Sequence, residues 1–173
     1  GCSGFIYALA VANSFIVSKL YKKGLIICSE KYSSFIDKDN RSCRPLFSDG
    51  AAAILLMSEE KAKKLGLSPI ARIISQASAA HAPEWFTTAP VKAMNRVLEK
   101  ANLTIDQIDL FEINEAFSVV TMAAEKDLGL NSDRVNVFGG AVSMGHPIGA
   151  GSEGDYRLDF HPRVRLEFHG SKI

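Results

Sequence analysis

The chain has 173 residues, enough for one domain or parts of two. Its 47% hydrophobic and 23% charged content is that of a soluble globular protein, not a disordered one. With 20 Lys+Arg against 19 Asp+Glu and no basic run interleaved with aromatics, nucleic-acid binding is not expected.

Residues 5–20 suit a helix that is apolar on nearly every side, the mark of a buried one. Phe5 to Val17 raises the question of a membrane span. Asn13 and Ser14 interrupt it, it falls short of the roughly 20 residues a span needs, and no basic segment precedes it. No membrane association is expected. The chain opens on Gly1 without a methionine, so an upstream segment is expected to have been lost.

After Lys22-Lys23, Gly24 to Ser29 reads as a fully buried strand, Tyr32 to Asp49 as a polar loop, and Ala51 to Met57 as a second buried strand. Ser58 is placed to cap a short helix that carries Glu59 and Glu60 in its first turn and ends at Gly66. Ile70 to Gln76 alternates like a strand. A loop with His81, Trp85 and Phe86 then leads to a helix from Thr88 and Pro90 to about Ala101, with Val91, Met94, Val97 and Leu98 on one face. Strand 108–113, helix 115–127 and strand 134–138 follow, then a loop punctuated by Gly139, Gly140, Gly145 and Gly149. Strands alternating with helices predict an α/β fold with largely parallel pairing. From Glu153 the character changes, and the tail reads equally as an edge hairpin or as a frame-shifted or otherwise extraneous segment.

Three cysteines, Cys2, Cys28 and Cys43, show no CxxC or Cys/His ligand spacing. Neither a disulfide scaffold nor a metal site is expected, and a reducing, cytoplasmic setting fits best. Cys2 directly precedes the first helix, whose free N–H groups favour a thiolate, and Gly1 and Gly4 leave room for a substrate. Position alone does not overturn the plainer reading of a cysteine there as a small buried hydrophobe. Asn114 falls between a strand end and a helix start, where parallel sheets place functional groups and where an asparagine also serves as a plain helix cap. His146, among glycines and before Pro147, is poorly explained as packing and suits proton exchange with a thiol. Together they supply nucleophile, polar orienter and base.

Ser58 to Ala150, with WFTTAPVKA at 85–93, NEAF at 114–117 and NVFGGAVSMGHPIGA at 136–150, resembles the C-terminal half of thiolases such as acetyl-CoA acetyltransferase. Residues 1–56, with GCSGFIYALAVANSFI, LIICSEKYSSFIDKDN and PLFSDGAAAILL, look more like 3-ketoacyl-ACP synthase III, the decarboxylating branch of the same superfamily. The resemblance implies an incomplete thiolase-like α/β fold of layered, parallel-rich sheets with buried central helices. It divides the chain into 1–57, the remainder of an N-terminal half, 58–152, a C-terminal half, and an atypical tail 153–173. The union suggests a fragment or chimera.

By the same resemblance, Cys2 is the acyl-accepting nucleophile, His146 activates it and helps form an oxyanion hole, and Asn114 holds a water there. Phe86 lines the pantetheine and acyl pocket, or is a structural aromatic. Acyl-CoA is the substrate, no separate cofactor is implied, and the full-length family is homo-oligomeric, a dimer or tetramer. The chain lacks the second thiolase cysteine and the units before Cys2. Decarboxylating synthesis and a catalytically silent fragment remain the competing readings.

Overall fold

The computed structural model describes residues 4–37, 39–41, 47 and 49–148, together with the backbone of 166–167 and 171–172. Cys2, Cys43 and most of the tail lie outside the described residues. The chain forms two compact units, one of 1–70 with 145–157 and one of 71–144 with 158–173. The division falls after Ile70, later than the change of sequence character at residue 57.

In the first unit, helix α1 (Gly4–Val17) is followed by strands β1 (Lys23–Glu30) and β2 (Gly50–Met57). α1 buries Phe5 and Leu9, one turn apart, but Tyr7, Val11, Phe15 and Val17 are exposed. The helix expected to be buried all round is therefore covered on one side. β1 is half-buried rather than fully buried: burial alternates along it, with Ile26 inward and Leu25 and Ile27 outward. β1 and β2 pair antiparallel over their whole length, from Lys23 opposite Met57 to Glu30 opposite Gly50. The expectation of largely parallel pairing fails here because parallel neighbours need a crossover, usually helical. Among the described residues of 31–49 the one helical element is a 3-10 turn, Tyr32–Ser34. Helix α2 (Glu59–Lys64) forms as predicted, with Ser58 Oγ accepting from Lys61 N at 3.2 Å and Gly66 in the left-handed region at φ 65°.

The second unit is built around Ile108, Phe111, Ile113, Val120, Ala124 and Val135. Helix α3 (Ala89–Ala101) presents Val91, Met94 and Leu98 to this core and buries Val97 beside them, as the spacing predicts. Pro90 sits in its first turn, preceded by a 3-10 segment, Pro83–Thr88. Strands β3 (Arg72–Ile73) and β4 (Leu110–Phe111) are much shorter than the predicted 70–76 and 108–113. Among the described residues of the tail, no strand pairs with another strand of the tail. β5 (Leu166–Glu167) runs parallel to β4, and β6 (Ser171–Lys172) antiparallel to β3.

The predicted strand 134–138 is absent, for a local reason. Ser132–Arg134 is a 3-10 turn, Val135 makes a single parallel bridge to Phe111, and Asn136 turns to φ 46°. Its side chain then does what a strand backbone would have done. Ile113 N donates to Asn136 Oδ1 at 2.7 Å, and Asn136 Nδ2 donates to Ile113 O at 3.0 Å. One side chain thus satisfies both polar groups of a buried residue. The helix predicted from Glu115 starts later, as α4 (Ser118–Leu128), and stops at Gly129, φ 64°.

Candidate active site

Phe117 takes the cap position of α4 in extended backbone, with no side-chain cap bond. Asn114 therefore does not cap the helix; it lies in the turn between β4 and α4, where Ala116 N donates to its carbonyl at 3.0 Å. Its side-chain Oδ1 is buried without a hydrogen-bond partner among the described residues. A buried amide oxygen lacking a donor costs about 1–3 kcal/mol, so such a group calls for an explanation. An acceptor ready for a water or ligand donor is the functional explanation open to it.

Phe86 packs edge-on against Phe117, ring centroids 6.2 Å apart at 70°, and about half its surface stays exposed. A structural aromatic and a pocket wall both fit that placement, and the contact sets Phe86 beside the Asn114 turn.

Glu115, which the sequence reading passed over, ties this turn to the glycine loop. Its Oε2 accepts from Val142 N at 2.8 Å, at the start of the short helix α5 (Ala141–Met144). That bond explains Gly140: a Cβ there would lie 2.5 Å from Glu115 Oε2 and 3.0 Å from Asn136 Nδ2. Gly140→Ala is expected to drive the carboxylate off Val142 N and cost about 1–3 kcal/mol. Urea denaturation would show a lower midpoint at unchanged slope. An unchanged midpoint would mean that the glycine is not required by Glu115.

In the first unit, His146 is almost completely buried, at 1% exposure. Gly145 before it sits at φ 91°, a conformation that suits glycine, and Pro147 stiffens the following step. The His146 backbone makes a parallel bridge with Phe47, and the two rings lie 6.0 Å apart, tilted by 35°. Burial lowers the His146 pKa below its ordinary value of 6.5, so the imidazole is neutral, the form that takes up a proton, at neutral pH. Pro147 packs on Gly50, where a Cβ would come within 2.9 Å of its ring.

Of the predicted residues, His146 belongs to the first unit and Asn114 and Phe86 to the second. Cys2 lies outside the described residues; α1 begins two positions after it. Among the described residues, no cluster of His, Cys, Asp and Glu could hold a metal ion, and no helix is long and apolar enough to cross a membrane.

Comparison with known proteins accounts for both parts of the chain. Residues 67–158 match the thiolase C-terminal domain, and residues 1–71 match 3-oxoacyl-[acyl-carrier-protein (ACP)] synthase III. Acetyl-CoA acetyltransferase 1 of Arabidopsis thaliana is 56% identical over 102 residues, 59% of this chain and 25% of that protein. The acetyl-CoA acetyltransferase of Schizosaccharomyces pombe is 53% identical over 102 residues, 59% of this chain and 26% of its own. A thiolase from Ascaris suum, solved in complex with coenzyme A, superposes with a TM-score of 0.59 at 48% identity, covering 61% of this chain and 28% of that one. Human mitochondrial 3-ketoacyl-CoA thiolase gives 0.60 at 37% identity, covering 62% and 27%. The chain thus spans about a quarter of the length of the curated relatives it matches. With the thiolase domain matching more than half of its residues, the chain belongs to the thiolase family.

Proposed function

We propose that this chain carries the acyl-transfer half of thiolase chemistry, with acyl-CoA as substrate and no other cofactor. The observation that carries the reading is His146, buried and held neutral in a Gly-His-Pro turn. In the proposed step His146 takes the proton of the Cys2 thiol, and the thiolate attacks the carbonyl carbon of acetyl-CoA. The tetrahedral oxyanion accepts hydrogen bonds from His146 and from a water that donates its other hydrogen to Asn114 Oδ1. Such donors are typically worth about 3 kcal/mol each. The C–S bond to coenzyme A then breaks, its sulfur recovers the proton from His146, and an acetyl thioester remains on Cys2. The buried Asn114 Oδ1, without a hydrogen-bond partner among the described residues, supports the water-holding role, and Phe86 is proposed to line the pantetheine and acyl pocket.

Thiolysis or Claisen condensation needs a second base, which thiolases supply as a second cysteine. Within residues 1–173 no cysteine follows Cys43, and the proposal is confined to the acylation of Cys2. The synthase III match over residues 1–71 favours a second reading, in which decarboxylation generates the carbanion. That branch uses a histidine where this chain has Asn114, which ranks it second. A reducing, cytosolic setting keeps Cys2 a thiol in either case, and dimers or tetramers are proposed for the full-length form.

Alkylation separates an active from a silent site. Iodoacetamide at neutral pH is expected to modify Cys2 well before Cys28 and Cys43, as peptide mapping would show. Equal rates at all three would overturn the reading of Cys2 as an activated nucleophile.

A further inference from the structure

The segment leading into β2 contacts both the proposed base and the proline that follows it, and nothing in the thiolase chemistry above assigns it a role. Phe47 bridges His146 through the backbone and lays its ring against the imidazole. Three residues on, Gly50 admits Pro147, whose Cβ and Cγ occupy the place a side chain would take. The stretch 47–50 therefore fits against 145–147 at both ends, joining a part of the chain that matches synthase III to one that matches thiolases.

Phe47 is itself backed. Tyr32 also packs against it, ring centroids 5.0 Å apart at 48°. The 3-10 turn carrying Tyr32 is fastened to β2 by Asp49, whose two oxygens accept from Ser33 N at 2.7 Å and Ser33 Oγ at 2.6 Å. These bonds lower the Asp49 pKa, the hydroxyl of Ser33 contributing most, so the clamp persists in its charged form across the neutral range. An imidazole has two rotatable side-chain bonds. Packing on one face together with a backbone bridge at its own residue leaves its ring direction little freedom.

We propose that Phe47, braced by Tyr32 and the Ser33–Asp49 clamp, is a positioning residue for His146. The proposal rests on the reading of His146 as the base only for its consequence in catalysis; the placement of the ring is measurable without it.

The test is histidine-selective nitrogen-15 NMR on the full chain, with the His146 signal assigned by its loss in His146→Gln. Phe47→Ala is expected to raise the His146 midpoint toward 6.5 as water reaches the ring, and to slow Cys2 alkylation roughly tenfold. Phe47→Tyr, which keeps the ring, should restore both. A His146 midpoint and tautomer unchanged in a folded Phe47→Ala protein would overturn the proposal. Where Phe47→Ala does not give a dispersed spectrum, Asp49→Asn takes its place. It should shift or broaden the His146 signal while His81, His161 and His169 stay put, and no response at His146 would refute the brace. If the midpoint moves but alkylation of Cys2 is unaffected in both Phe47→Ala and His146→Gln, positioning stands and the pairing of His146 with Cys2 falls.

Discussion

His146→Gln is expected to slow acetylation of Cys2 by acetyl-CoA by roughly 100- to 10,000-fold, the usual worth of a positioned general base. Glutamine keeps the size and polarity of the site but takes up no proton near neutral pH. The pH profile should change as well as the rate. Burial holds the His146 pKa below 6.5, so the wild-type rate should persist below that pH and fall only when the imidazole finally protonates. In the variant, Cys2 must ionise unaided, and the rate should rise with pH as the thiolate forms. Stability carries the same signature with a definite sign. In the pH interval between the depressed folded pKa and the ordinary 6.5, the unfolded chain binds more protons at this position. The stabilising contribution is therefore full above about 6.5 and lost as pH falls toward the folded pKa, and His146→Gln should remove that acid-side loss. A variant that acetylates at the wild-type rate with an unshifted profile would exclude His146 as the base.

Asn136→Ala is expected to cost about 3–8 kcal/mol, among the largest effects of any single substitution in the second unit. It removes both partners of Ile113, whose backbone N–H and C=O are buried, and each orphaned group costs about 1–3 kcal/mol. Alanine at φ 46° adds a left-handed penalty of about 1–2 kcal/mol, which glycine escapes. Comparing Asn136→Gly with Asn136→Ala by urea denaturation separates the two: the loss common to both belongs to the hydrogen bonds, the difference to the backbone. Glycine restoring wild-type stability would show that the amide bonds to Ile113 contribute nothing.

The elements that sequence periodicity located well are those whose signals are local. Ser58 and the acidic first turn gave α2, and the apolar stripe of Val91, Met94, Val97 and Leu98 gave α3 with its inward face. Pairing was not legible, because register and direction depend on residues far apart in the chain; β1 and β2 carry apolar runs that fit a parallel or an antiparallel sheet equally. Val135 to Phe138 shows strand propensity, but Asn136 overrides it with a left-handed turn and a pair of side-chain bonds whose partner lies 23 residues earlier. At the site, glycines around a histidine marked His146. Other residues of the two units left weaker traces. Glu115 carried no signal of its own beyond opening a helical stretch, although the Gly139-Gly140 pair was a sign that something must lie close to that backbone. Phe47 and Asp49 fell in a stretch read as polar loop, where a lone aromatic just ahead of a strand was the one available signal.

The central claim, that Cys2 accepts an acyl group from coenzyme A, is tested most directly by mass spectrometry of the full chain after incubation with acetyl-CoA. The account predicts one acetyl group per chain, mapped to Cys2, labile to hydroxylamine as a thioester is, and absent in Cys2→Ser treated identically. An adduct on Cys28 or Cys43 instead, or no adduct while Cys2 is intact and the protein folded, would contradict it.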